Sequence, residues 1–265
     1  MRKVSVYVAL ALLLAVTALP VLAVTWGEPD FTHTNVGAIL MDLPGWGVTP
    51  ICSGTLVHPQ VFLTAGHCTD GLDAQDVWVT FAQDGSNPPA ADMLDVAQVI
   101  THPDYYWGPQ SNPHDVGALI LAQPVTGIDP ASLPDEGLLD DLRAQGALNQ
   151  GKEKAQFTVV GYGATLFWPP PDIVYGDARQ FALSEYRALL PAWLRLSQNQ
   201  AAGDGGTCYG DSGGPVFWTD PDSGDEILVG ITSWGDAQCV ASGFNYRVDI
   251  PETLTFIEQV IDSLE

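Results

Sequence analysis

Apolar residues in this chain gather in short runs that stop at Gly, Pro, Asn or Asp. That is the spacing of strands rather than of helices. The runs cover 36–41, 51–57, 61–65, 77–81, 97–100, 116–121, 157–161, 215–218, 227–232 and 244–248, and most carry β-branched or aromatic residues, which suit a pleated surface. No strand–helix–strand unit recurs, and no internal repeat is present. The pattern therefore predicts an all-β chain of antiparallel sheet, as sandwich or barrel, and argues against a parallel α/β sheet. Two segments show helical spacing. The first, 138–148, is weakly periodic. The second, 252–264, puts Leu254, Ile257, Ile261 and Leu264 on one face after Pro251, a residue suited to a first helical turn. That stripe reads as a docking face against the core. The proline run Trp168-Pro169-Pro170-Pro171-Asp172 predicts a stiff surface loop.

Composition narrows the function classes. Of 265 residues 46% are apolar, enough for a core, while Lys and Arg total 9 against 32 Asp and Glu, a formal charge of -23. Such a chain repels phosphate backbones, so nucleic acid is excluded as a partner. With 8 Trp it is also too aromatic for a disordered acidic chain. The acidic stretches 70–76 and 84–95 read as solvated surface rather than a calcium site.

Met1-Arg2-Lys3 followed by an apolar run and Pro20-Val21-Leu22-Ala23 has the form of a secretory signal peptide. Residues 1–23 are thus expected to be removed and 24–265 to form the mature domain. No later run is long and apolar enough to span a bilayer, so the mature protein is expected to be secreted and free of the membrane. Four cysteines, Cys52, Cys68, Cys208 and Cys239, suit that address. They allow three pairings as disulfides, and none lie two to four residues apart as zinc ligands usually do.

The chemistry concentrates in Gly210-Asp211-Ser212-Gly213-Gly214-Pro215. Glycines around a serine let the backbone approach a substrate carbonyl and leave N–H groups to point at one atom. The same letters fit the nucleophile elbow of α/β-hydrolases, but that fold needs a histidine after the serine, and none follows His114. The base must lie upstream, among His33, His58, His67, His102 and His114. His33 and His58 have the company of ordinary surface residues, and His102 and His114 lie in polar loops. His67 ends the segment Leu63-Thr64-Ala65-Gly66-His67-Cys68, beside a cysteine able to pin it. Asp115 stands before the apolar run Val116-Gly117-Ala118-Leu119-Ile120-Leu121, where a buried carboxylate needs a partner. The His67 ring N–H suits it.

The blocks around His67, Asp115 and Ser212, in that order, resemble the active-site blocks of chymotrypsin-like (trypsin-fold) serine peptidases, the family from which the triad template is drawn. The likeness extends to Cys52-Ser53-Gly54-Thr55-Leu56-Val57, to Gly161-Tyr162-Gly163 and to Ser233-Trp234-Gly235. It implies two antiparallel β-barrels around an active-site cleft, a C-terminal α-helix, and the bridges Cys52–Cys68 and Cys208–Cys239. It also implies a serine endopeptidase in which Ser212 attacks, His67 moves the proton, Asp115 holds the imidazole and Ser233 supports Asp115. The N–H groups of Gly210 and Ser212 would form the oxyanion hole. The resemblance requires no metal and no cofactor. It places Gly206 at the floor of the specificity pocket where trypsin-like members carry Asp. Thr207, Ser233, Trp234, Gly235 and Gly243 complete that pocket, so an aromatic or large apolar side chain is expected. Asp204 and Asp236 are the nearby acids that could answer a cation instead. An activating amine on Val24, exposed by signal cleavage and paired with Asp211, is a further expectation. The partners implied are protein or peptide substrates and protein inhibitors, with the enzyme a monomer. A silent binding homologue or an esterase on the same fold is the alternative.

Overall fold

The computed structural model describes residues 24–86, 88–108, 111–149, 155–167, 172–176 and 178–264. The leader 1–23 and the proline run 168–171 lie outside the described residues. The chain opens with a two-residue strand, β1 (Glu28–Pro29), then builds a closed barrel from six antiparallel strands. These are β2 (Val36–Leu43), β3 (Gly47–His58), β4 (Val61–Thr64), β5 (Val77–Thr80), β6 (Leu94–Thr101) and β7 (Gly117–Leu121), in the order β2-β3-β4-β7-β6-β5. One helical turn, α1 (Gly66–Thr69), follows β4, and helix α2 (Leu138–Ala144) lies between the barrels in sequence.

The second barrel begins at β8 (Gln156–Gly161). A hairpin of β9 (Ala164–Phe167) and β10 (Asp172–Tyr175) leads to β11 (Gln180–Leu189), β12 (Trp193–Ser197), β13 (Pro215–Thr219), β14 (Glu226–Gly235) and β15 (Ser242–Arg247). The order is β11-β12-β15-β14-β13-β8, and β8 pairs back onto β11 to close the ring. Helix α3 (Pro251–Asp262) ends the fold. All ten sequence-predicted runs fall on strands. Large apolar side chains are buried in both barrels: Phe62 and Leu119 in the first, Phe157, Val159 and Leu194 in the second. β7 is buried along its whole length, which is why it reads as an unbroken apolar run.

Both disulfides, Cys52–Cys68 and Cys208–Cys239, are formed. Among the described residues no helix is long and apolar enough to cross a membrane.

Four expectations need correction. α2 is shorter than 138–148, because Gly146 takes φ +79 and turns the chain out of helix. α3 docks through Thr253, Phe256, Ile257 and Val260, with Leu254, Ile261 and Leu264 only at the flank. The face is rotated because the Thr253 hydroxyl donates to the Arg247 carbonyl at 2.9 Å, turning a polar residue inward. His33 is no ordinary surface histidine: its ring lies between Asp30 and Glu226, 3.0 Å from each, and stacks on Phe217. His102 and His114 likewise stack on each other at 4.6 Å rather than standing in solvent.

The barrels are joined by a buried polar knot. The Tyr162 hydroxyl donates to the Ala82 carbonyl at 2.7 Å, and Arg179 reaches Asp30, the Phe81 carbonyl and the Tyr162 hydroxyl. A guanidinium almost wholly out of water is tolerable only when its donors are matched in this way.

Candidate active site

His67 sits on α1, directly after a strand of the first barrel, and Asp115 precedes β7 of the same barrel. α1 can pack this close because residue 66 is glycine: a Cβ there would come within 3.1 Å of the Val116 nitrogen. The His67 ring Nδ1 lies 3.0 Å from Asp115 Oδ2, and the His67 backbone N–H donates to Asp115 Oδ1 at 2.9 Å. The Ser233 hydroxyl, from β14 of the other barrel, donates to Asp115 Oδ2. Asp115 is buried, which alone would raise its pKa. The hydrogen bonds and charge of His67, with the Ser233 hydroxyl, outweigh this and hold the carboxyl below its ordinary value. Trp107 leans over the His67 ring with centroids 5.6 Å apart.

Ser212 lies on the loop from the Cys208 bridge to β13, and its backbone is fixed from the first barrel. The Ser53 N–H donates to the Ser212 carbonyl at 2.8 Å. The Ser53 hydroxyl donates to the Gly210 carbonyl and accepts from the Tyr162 N–H, both at 3.0 Å. With those carbonyls held on one side, the N–H groups of Gly210 and Ser212 have no acceptor among the described residues. Gly210 has φ +96, a conformation costly for any residue with a Cβ. The mid-chain glycines make room for the same loop. A Cβ at residue 161 would fall 2.1 Å from Asp211 Oδ1, and one at 163 would fall 2.4 Å from the Asp211 nitrogen.

His67, Gly210 and Ser212 line one cleft of about 800 Å3, which runs out toward Leu43 and Trp46. His67 and Ser212 also line a second cavity, of about 250 Å3, with Thr207, Ser233, Trp234, Gly235 and Asp236. The Ser212 hydroxyl and the His67 ring share both cavities but are not hydrogen-bonded to each other among the described residues.

Of the predicted pocket residues, Gly206 and Gly243 do not line this cavity, because Gln198 stands in front of them. A Cβ on Gly206 would meet Gln198 Cγ at 2.2 Å, and one on Gly243 would meet Gln198 Nε2 at 3.2 Å. Gln198 was not singled out in the sequence; it belongs to no motif. The acids are otherwise engaged. Asp236 accepts from the N–H groups of Val240, Ala241 and Ser242. These bonds hold its carboxyl below its ordinary value despite partial burial. Asp204 is buried away from the cavity, 3.8 Å from Arg187.

The start of the described chain is docked beneath this region. Thr25 exchanges two backbone hydrogen bonds with Gly206, at 2.8 and 3.0 Å, and Val24 is fully buried. Asp211 accepts from the N–H groups of Gly163 and Cys208, each at 2.8 Å. It has no cationic partner among the described residues, and burial pushes its carboxyl up to about 7.

The sequence model of a protein family described as Trypsin matches residues 40–257. Mouse serine protease 56 is 31% identical over 200 residues, covering 72% of this chain and 31% of its own length. An inactive CLIP domain-containing serine protease A28 of Anopheles gambiae is 31% identical, covering 74% of this chain and 51% of its own. A trypsin of Saccharopolyspora erythraea is 29% identical over 74% of this chain and 82% of its own length. The chain thus spans about a third of the mouse relative and half of the mosquito one. From the two barrels, the order of the site blocks and the family match across both halves, the chain belongs to the trypsin family.

Proposed function

We propose that this protein is a secreted serine endopeptidase with His67, Asp115 and Ser212 as its triad. The observation that carries the reading is the chain of contacts Ser233–Asp115–His67, ending at the cleft that Gly210 and Ser212 also line, two residues whose N–H groups have no acceptor among the described residues. In the first step Ser212 Oγ bonds to the scissile carbonyl carbon while His67 Nε2 takes its proton. The Asp115 carboxylate, acid-strengthened by its partners, stays ionised and stabilises the imidazolium. The carbonyl oxygen becomes an oxyanion held by the N–H groups of Gly210 and Ser212, where losing one donor typically costs about 3 to 4 kcal/mol. The intermediate collapses as His67 protonates the leaving amine, and water then releases the acyl group by the same relay. A hydrogen bond between the Ser212 hydroxyl and His67 would form as substrate binds, since catalytic hydrogen bonds often tighten only in the complex.

The Val24 amine would supply the cation that buried Asp211 lacks, so removal of 1–23 would both export and activate the chain. Two disulfides support the extracellular address. No metal or cofactor takes part in these steps. Protein or peptide substrates and protein inhibitors would share the cleft of a monomeric enzyme. With Asp204 and Asp236 committed elsewhere, the pocket favours an uncharged residue before the cut over Arg or Lys, whose burial without a counter-charge is costly.

A fluorophosphonate probe tests the reading. It should label the chain beginning at Val24 at Ser212, and labelling should vanish in Ser212→Ala. A folded, unlabelled chain would instead favour a silent homologue, the state that the name of the mosquito relative gives for that protein. Cleavage of esters but not of amides would make it an esterase.

A further inference from the structure

The glycines that should leave the specificity pocket open do not leave it empty. Gln198 follows β12 and is almost completely buried. Its side chain enters where a side chain on residue 206 would project, with Cγ 2.2 Å, and Cβ and Cδ 2.9 Å, from an ideal Cβ there. Its amide then crosses under Gly243 toward Gly235, with Nε2 3.2 Å and Oε1 3.6 Å from the corresponding Cβ positions. The orientation is fixed: Nε2 donates to the Thr207 carbonyl at 2.6 Å and lies 3.2 Å from the Thr207 hydroxyl. A flip would set two carbonyl oxygens against each other. Oε1 is left buried with no partner. The remaining cavity of about 250 Å3 is bounded by Thr207 and Gly235 rather than by Gly206 and Gly243, and part of that volume is the mouth beside His67 and Trp107.

We infer that Gln198 is the specificity-determining residue: it fills the deep half of the pocket from behind, so the enzyme takes a short uncharged side chain, of the size of Ala to Val, before the cut. This rests on the peptidase reading above and sharpens it. An aromatic ring or a Leu would have to expel a pinned amide whose donor is already matched. Thr207 would then lose the hydrogen bond to its buried carbonyl, which penalises the larger substrate.

Two measurements on the chain beginning at Val24 decide it. In the first, kcat/KM is compared for peptides differing only in Ala, Val, Leu, Phe or Arg before the cut. Ala and Val should exceed Phe and Arg by at least about tenfold, the scale of discrimination that a few methylenes produce. In Gln198→Ala the Phe/Ala ratio of kcat/KM should rise about tenfold or more. A wild-type optimum at Phe, Leu or Arg overturns the inference. So does a folded Gln198→Ala whose Phe/Ala ratio is unchanged.

The second measurement needs no turnover, so it separates this inference from the peptidase reading. Indole is titrated calorimetrically into Ser212→Ala and into Ser212→Ala/Gln198→Ala. Binding should appear only when Gln198 is truncated. Equal binding, or none, in two folded proteins overturns the plug whatever the fluorophosphonate probe shows. If the alanine variant does not fold, Gln198→Ser serves in both measurements.

Discussion

Ser53 makes the residue-scale case. One buried side chain accepts from the Tyr162 N–H and donates to the Gly210 carbonyl, while its own N–H holds the Ser212 carbonyl. On the proposed mechanism Ser53 is therefore a positioning residue, since it holds the backbone of both Gly210 and Ser212. Ser53→Ala leaves the buried Tyr162 N–H and the part-buried Gly210 carbonyl without this partner, a cost of about 1 to 3 kcal/mol. It also loosens Gly210, so kcat should fall about 10- to 100-fold with KM within a factor of three. Steady-state kinetics beside a thermal melt check this: a melt shift with unchanged kcat would make Ser53 merely structural. Ser53 also marks how far the sequence was legible. Its block was recognisable, but its bond to Gly210 joins residues 157 positions apart, and no local pattern reports such a contact. Gln198 was invisible for the same reason. His67, Asp115 and Ser212 stood out because their chemistry demands particular residue types beside glycines, cysteines and apolar strands.

At the scale of elements, the strands found by pattern are those with a clean apolar run, such as β7 with Gly117–Leu121. β11 and β12 were missed although β11 has ten residues. Gln180, Ser184 and Glu185 of β11 are buried polar residues, which break the alternation that marks a half-buried strand. The segment before β2 escaped likewise, since His33 finds Glu226 and Asp30 finds Arg179 only when the chain folds back on the second barrel. There the His33 ring bridges Asp30 and Glu226, and its pKa rises to about 9. Burial opposes protonation here, but the hydrogen bonds and charges of the two carboxylates prevail. A raised folded value means that the clamp contributes fully below pH 6.5 and is lost as pH climbs through 9. His33→Gln should therefore destabilise the protein by about 1 to 2 kcal/mol at pH 6, a figure held down by the partial exposure of Glu226. It should cost less at pH 10. Urea unfolding at the two pH values checks it, and a cost equal at both would remove the charge from the explanation.

At the scale of the whole molecule, each barrel supplies half of the candidate site. His67 and Asp115 come from the first, Ser212 and Ser233 from the second, and the start of the chain packs under the pocket between β11 and Gly206. Asp211 directly precedes Ser212. Its carboxyl is fully buried, accepts two backbone N–H groups and is pushed up to about 7. A folded pKa above the unfolded value of about 4 means that the folded state holds its proton more tightly. Where no cation reaches Asp211, stability must fall as pH rises from about 4 to about 7, by an amount of order 2 to 4 kcal/mol. An amine on Val24 removes that slope, because its charge offsets the buried carboxylate until the amine itself loses its proton, above about pH 8. The comparison needs two inactive chains, both Ser212→Ala, one beginning at Val24 and the other at Leu22. Urea unfolding from pH 4 to 8 should show stability declining toward neutrality only in the longer chain. The chain beginning at Val24 should hold level and then weaken on the alkaline side. Parallel curves for the two would mean that the amine does not reach Asp211, and the proposed coupling of export to activation would go with it.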